Sequence, residues 1–279
     1  CEAMGSAYLT DLNPDCASRW MNISQIGFGL GAIGAPVAVI WYLTQKGGAH
    51  RSVFALCAAL FLLMLAALLF TGRGQNASAR SEKAEWNLFS VLKNPKMVLY
   101  ALMVFFYMGY EPIGSGYFKQ FFMARGETEA FSALMVSLFW ASMILCRFIG
   151  AFMSGKELIG IKVFTSMMVT GALLLLLAPG APWKVAGVFL YGFGCGPVWP
   201  MLFVLASRAF PKRSGAACGV MMLFSTAGNF LFPTLIGVWP GNLFVTLSLC
   251  ALLGLALLTC AFLSERVSYA NTPVQSTTM

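Results

Sequence analysis

The chain has 279 residues, of which 59% are hydrophobic and only 10% charged, and its formal net charge is +8. A soluble domain carries about 25% charged residues, so this composition excludes an ordinary water-soluble globule and makes the bilayer the solvent. The basic residues cluster in short connections between apolar stretches, so the positive balance reads as membrane orientation rather than nucleic-acid binding.

In chain order, an incomplete helix over about 1–9 is followed by long helices over about 20–45, 50–71, 97–120, 130–153, 160–179, 184–207, 214–238 and 243–264. Uncharged runs at 20–45, 52–72, 163–183 and 185–207 match the roughly 20 apolar residues that a spanning helix needs. The unbroken run 214–264 has 51 residues, too many for one span, and Trp239-Pro240-Gly241-Asn242 supplies a turn within it. The one long connection, 72–96, carries Arg73, Arg80, Glu82, Lys83, Glu85, Lys93 and Lys96. Residues 82–92 (EKAEWNLFSVL) within it read as a short amphipathic helix on the membrane surface. The polar tail after Arg266 reads as disordered. The fold class is an all-α polytopic membrane protein.

Charge orients the bundle. With the 72–96 connection on the cytoplasmic side, that side holds 13 basic residues and the other holds 5. The positive-inside rule then places the C-terminus in the cytoplasm. Pro14, Gly31 and Pro36 recur as Pro211, Gly228 and Pro233, each displaced by 197 residues. A repeat about six helices long is how many secondary transporters are built. Under it, residues 1–71 are the remainder of an N-terminal six-helix half (the end of its fourth helix, then the fifth and sixth), and 72–96 is a cytoplasmic loop between halves. Residues 97–264 are a C-terminal six-helix half and 265–279 a cytoplasmic tail. The chain begins with Cys1 and Glu2 inside a segment, so three preceding helices are expected outside it.

Ionisable groups within spans are costly and are functional candidates by default. Glu111 lies deep in LMVFFYMGYEPIGSGYF and is followed by Pro112, with Gly109, Gly114 and Gly116 nearby. A helix so interrupted can line a cavity, where freed carbonyls and a carboxyl face a polar solute or carry a proton. Glu2 is the second candidate, and by the repeat offset it maps onto Trp199 in GFGCGPVWPMLF, a segment opened by three glycines and two prolines. An aromatic ring opposite a carboxylate suits a sugar: the ring stacks on C–H faces while the acid accepts hydroxyl protons. Trp199 as plain core filling is the alternative reading. Asn229, Gln25 and Asn22 are candidate cavity amides, with an interhelical hydrogen bond as the alternative. Tyr107, Tyr110 and Trp140 are candidate lining aromatics. Arg147, in CRFIG at the end of its span, reads as an anchor for a loop or gate rather than a solute contact.

Other patterns carry less. Gly29, Gly31 and Gly34 match a dinucleotide-binding spacing but lie inside a span, where small residues permit close helix packing. His50 has no metal partners, and the eight cysteines show no metal-type spacing and read as small buried residues. The sequons at Asn22 and Asn76 fall on the cytoplasmic side. With no nucleophile–base pair and no phosphate-binding loop, an enzyme or an ATP-driven pump is not expected.

The whole chain resembles the major facilitator superfamily, and within it the fucose permease-like sugar:proton symporters. The resemblance rests on Glu2 followed by AYLTDLNP, then RWMNISQ and GLGAIGAP, FFYMGYEPIGSGYF, FWASMILCRFIG, GPVWPMLFVLASRAFPKRSGAACGV and STAGNFLFPTLIG. It runs from the family's fourth helix to its twelfth. It implies alternating access about a central site, with Glu2 in the place of the fourth-helix acid implicated in substrate and proton handling and Glu111 in that of a seventh-helix acid. Ser6-Ala7 stands where fucose permeases carry Asn-Pro, and Phe28 where they carry Asn, so the resemblance implies a sugar or similar small polar solute rather than fucose itself. The expectation is a proton-coupled uptake transporter of the inner membrane of bacterial type, with a small-molecule solute and the lipid bilayer as partners. No nucleic acid, metal or cofactor is expected, the proton gradient supplies the energy, and the protein is expected to be monomeric. Its pathway residues are expected to be Glu2, Glu111, Trp199, Asn229, Gln25 and Tyr107, with Arg147 at a gate. The alternatives are an exporter or uniporter of an amphiphilic compound, suited by 24 Phe and 16 Met, and a non-transporting sensor of the same fold.

Overall fold

The computed structural model describes residues 2–45, 50–71, 88–177, 180–238 and 242–270, and every described element is helical. In order they are α1 (Glu2–Leu12), α2 (Ala17–Gln45), α3 (His50–Thr71), α4 (Leu88–Leu92), α5 (Pro95–Ala124), α6 (Glu129–Gly150), α7 (Glu157–Leu177), α8 (Ala181–Ala209), α9 (Ser214–Val238) and α10 (Leu243–Ala270). The expected long helices are all present. The last runs on to Ala270, past the point where the polar tail was expected to begin. Of the expected surface helix, Leu88–Leu92 is helical, and 82–87 lie outside the described residues, as does Asn76.

Local chemistry sets several ends. Asn94 caps α5 by accepting from the Lys96 amide at 2.9 Å, and Pro95 fills the first helical position, where no N–H is needed. Thr128 caps α6 in the same way through the Phe131 amide. Gly126, at φ 80°, reverses the chain after α5, a left-handed conformation that glycine adopts without a Cβ clash.

Contacts divide the chain into two compact units, Cys1–Gly29 with Trp86–Met279, and Leu30–Glu85. The smaller unit holds the second part of α2 and all of α3, and Phe54, Leu60, Phe61, Leu63 and Phe70 of α3 are exposed. In the larger unit α8 is the central helix, buried along most of its length and packed against α7 and α6. Close approach there depends on missing side chains. A Cβ at Gly171 would lie 2.5 Å from the Tyr191 amide nitrogen, and one at Gly194 2.5 Å from the Phe164 carbonyl oxygen. Small residues at helix crossings are how bundles pack in lipid. The core is strongly aromatic, with Tyr107, Tyr110, Phe118, Phe122, Phe139 and Tyr191 fully enclosed. Five of the seven described cysteines are also buried.

Six helices of this unit, α5 to α10, are long and apolar enough to cross a membrane. Their outer faces expose Leu134, Phe148, Phe152, Leu223, Phe230 and Phe244, which is the lipid-facing surface of an integral, multi-pass membrane protein. One end of the bundle is tied by polar contacts among the chain segments around residues 11–18, 90–94, 155–157 and 208–214. Arg208 pairs with the buried Glu157 at 2.6 Å and also donates to the Pro14 carbonyl at 2.8 Å. Ser214 donates to Asp11 at 2.7 Å, and Arg213 to Ser90 at 2.9 Å. The opposite end carries Lys119–Glu129 at 2.7 Å and the Lys184–Glu127 pair.

Candidate functional site

Six helices border one cavity of about 320 Å³. Three of them are interrupted by proline. Pro112 removes the N–H that would bond the Met108 carbonyl, Pro200 does the same to Gly196, and Pro233 to Asn229. Met108 and Asn229 both stand in the cavity wall. The loss of helical donors therefore falls where polar groups can be used by something other than the helix.

The wall is built face by face. From α5 come Met108 and Glu111, and from α9 come Met222, Ser225, Thr226 and Asn229, spaced as one helical face. Glu2 of α1 and Gln25 and Phe28 of α2 form the other side, and Trp199 of α8 and Arg147 of α6 close it. Five of the six expected pathway residues are thus brought together: Glu2, Gln25, Glu111, Trp199 and Asn229. Glu2 and Trp199, paired by the 197-residue offset, face the same space. Gln25 Nε2 donates to Glu2 Oε1 at 3.5 Å.

Tyr107 is the exception. It is completely enclosed one turn behind Glu111, outside the cavity wall, and donates to the Cys195 carbonyl at 3.0 Å. Buried one turn from Glu111 and absent from the lining, it supports the wall without forming it. Tyr110 is buried too, bonded to the Met168 carbonyl and set against Tyr191 with ring centroids 4.2 Å apart. Trp140 packs edge-on against Phe139. Asn22 is fully buried at the foot of α2, where its amide donates to the Ser18 carbonyl at 2.8 Å. Of the four glycines in α2, Gly29 alone meets a neighbour: a Cβ there would lie 2.8 Å from Ile144 Cγ1, whereas Gly27, Gly31 and Gly34 have nothing within 4 Å among the described residues.

Arg147 is placed differently from its sequence reading. It is 1% exposed and bonds helix carbonyls rather than a loop: Nε donates to Gly196 at 3.0 Å and Nη1 to Gln25 at 2.7 Å. It also lines the cavity, as does Glu111. A cation and a carboxyl therefore border one cavity with no salt bridge between them among the described residues. Arginine near a helix end suggests an anchor, and only the packing of α6 against α8 shows that this turn borders the cavity. Met222, Ser225 and Thr226 were not singled out from the sequence, although their spacing with Asn229 carries the signal.

A family model described as Major Facilitator Superfamily matches residues 2–233. The chain belongs to the Major Facilitator Superfamily. It has the fold of a transporter, not of an enzyme. It superposes on the crystal structure of FucP, a Major Facilitator Superfamily transporter, in the outward conformation with a TM-score of 0.75 and 16% identity, covering 94% of this chain and 72% of that one. A variant of the E. coli fucose:proton symporter FucP gives 0.74 at 14% identity, with 94% and 73% covered. Among curated proteins it is similar to "Bypass of stop codon protein 6" of Saccharomyces cerevisiae, 25% identical over 179 residues (59% of this chain, 36% of the relative). It is also similar to the glucose/mannose transporter GlcP of Bacillus subtilis, 21% identical over 235 residues (80% of this chain, 57% of the relative). The chain thus spans about a third to just over half the length of these curated relatives.

Proposed function

We propose that the protein is a secondary active transporter that takes up a sugar or similar small polar solute by alternating access, coupled to protons. The chain corresponds to the superfamily fold from its fourth helix onward, with residues 1–71 in one half, 97–264 in the other, and 72–96 joining them. The observation that carries the reading is the cavity that gathers Glu2, Glu111, Arg147, Gln25, Asn229 and Trp199. Carboxyls accept hydroxyl protons, the guanidinium and amides donate to hydroxyl oxygens, and the indole offers a face to C–H groups. A polyhydroxylated ring needs all three. About 320 Å³ lies within the range of pockets that hold small molecules. The sugar transporters among its relatives and structural neighbours support the same class.

Coupling falls to Glu111, a carboxyl inside a span and in the same cavity wall as Arg147. A protonated carboxyl there removes a charge from the bilayer interior. Glu111→Gln fixes the neutral state. In the protein at its natural length, this change is expected to abolish uphill accumulation of a labelled sugar under an imposed pH gradient while sugar exchange across the membrane continues. Undiminished uphill uptake would remove Glu111 from coupling.

A second reading rests on Met108, Met222 and Phe28 in the same wall, adaptable apolar groups that suit an amphiphilic cargo moved by an exporter or uniporter. Efflux of hydrophobic dyes without proton-driven sugar uptake is its signature.

A further inference from the structure

The seam below the cavity is where the first turns of α2 meet the end of α6, which packs on the middle of α8 at Gly196 and Pro197. Ser18 Oγ donates to the Gly150 carbonyl at 3.3 Å. A Cβ at Gly150 would lie 2.6 Å from Pro197 Cβ and 2.7 Å from Asn22 Oδ1, and one at Gly196 would lie 2.5 Å from the Met143 carbonyl oxygen. The backbones of α6 and α8 are thus in near contact, the Asn22 side chain reaches the α6 backbone at Gly150, and Ser18, Asn22, Gln25 and Gly29 mark one face of α2 along the seam. Arg147 stands at its upper edge, where the seam becomes the cavity floor.

Its five N–H groups are divided between the two. Nε goes to Gly196, whose carbonyl has lost its helical donor to Pro200, and one Nη1 proton goes to Gln25. The second Nη1 proton and both Nη2 protons have no protein partner among the described residues, and the side chain borders the cavity. We propose that Arg147 couples occupancy of the cavity to closure of the seam, one guanidinium being shared between two seam carbonyls and an oxygen of the bound solute. It is a positioning residue for the helix seam as well as a solute contact. The proposal rests on the transport reading above. Its physical content is a differential affinity: a solute shifts a conformational equilibrium only by what it gains in one state over the other. Here the gain comes from a guanidinium already held in place by Gln25 and Gly196. Lysine has no planar fork and cannot hold both carbonyls and a solute together.

The test uses hydrogen–deuterium exchange of the peptide covering Ser18–Gly29 in the purified protein at its natural length, with and without D-glucose, D-mannose or L-fucose, and binding of the same sugars. In the wild type, a sugar that binds is expected to raise protection of this peptide. Arg147→Lys is expected to lower its protection about tenfold, weaken sugar binding at least tenfold, and remove protection by sugar. Asn22→Ala, in the seam but outside the cavity, is expected to lower protection while leaving sugar affinity within about threefold. Seam exchange unchanged in Arg147→Lys, or sugar protection persisting there, overturns the proposal. Should Arg147→Lys not yield folded protein, Pro200→Ala decides: it restores an N–H to the Gly196 carbonyl in competition with Nε, and is expected to loosen the seam about threefold. No change in Pro200→Ala overturns the proposal. If none of the three sugars binds the wild type, the sugar reading fails by itself, and sugar-free exchange in the variants still decides whether Arg147 closes the seam.

Discussion

Trp199 stands against Phe203, ring centroids 4.5 Å apart, and 6.2 Å from Tyr107, and is 6% exposed while bordering the cavity. Aromatic neighbours brace the indole from behind, so it offers a fixed surface at little entropic cost to a solute. Trp199→Phe keeps a ring against Phe203 but loses the second ring and the N–H. It is expected to raise the KM for sugar uptake about threefold to tenfold with normal amounts of folded protein, tenfold corresponding to about 1.4 kcal/mol. Trp199→Ala also leaves a void in the core, a change that costs about 3–5 kcal/mol in soluble proteins, so its folded yield is expected to drop as well. Uptake assays beside fluorescence-monitored gel filtration separate the two effects. A KM unmoved by Trp199→Phe would return this residue to its core-filling role.

At the scale of helices, α5 and α9 run side by side with their prolines close in register. Gly228 lies against Phe105, and Gly109 against Phe232. The two contacts differ in kind. A Cβ at Gly228 would sit 2.4 Å from the Phe105 carbonyl oxygen, which is backbone and cannot turn aside, whereas at Gly109 it would meet the Phe232 ring at 2.3 Å. Gly228→Ala is therefore expected to push α9 off α5 and lower the apparent Tm in detergent by several degrees, the range of a small overpacking cost of about 1–3 kcal/mol. Gly116→Ala, with nothing within 4 Å, is expected to leave Tm unchanged. Equal shifts would show that the crossing is not what Gly228 serves. The helices themselves were legible because apolar runs of spanning length, Asn94-Pro95 and Trp239–Asn242 punctuate the chain. The acids of the cavity were legible because a carboxyl within a span has few uses. Which way Tyr107 and Arg147 face was not: both depend on how α8 packs, through contacts between residues distant in sequence. The Pro14–Gly31–Pro36 spacing pointed to a repeat about six helices long, and Pro14 and Pro211 do stand between helices. Yet Gly228 is pressed against a neighbour while Gly31 meets nothing among the described residues.

For the whole molecule, the charge asymmetry and the structure bear on the same question from different directions. The structure ties together the segments around residues 11–18, 90–94, 155–157 and 208–214 through Arg208–Glu157, Arg208–Pro14, Ser214–Asp11 and Arg213–Ser90. These segments fall on the side that holds 13 of the 18 basic residues. Lysine and arginine counted over short loops set orientation because they resist translocation, and five against thirteen is a large bias. The tied end is then expected to be cytoplasmic, with the turn 125–128 on the opposite face. A green fluorescent protein fused after Met279 in bacterial cells is expected to fluoresce, and alkaline phosphatase at the same point to be inactive. Phosphatase inserted at Gly126, where φ is 80° and a Cβ would meet nothing within 4 Å, is expected to be active. The opposite pattern would invert the bundle. The Arg147 seam would then close the outer side of the membrane, and the pH gradient that drives accumulation would have to act from the other side of the cavity.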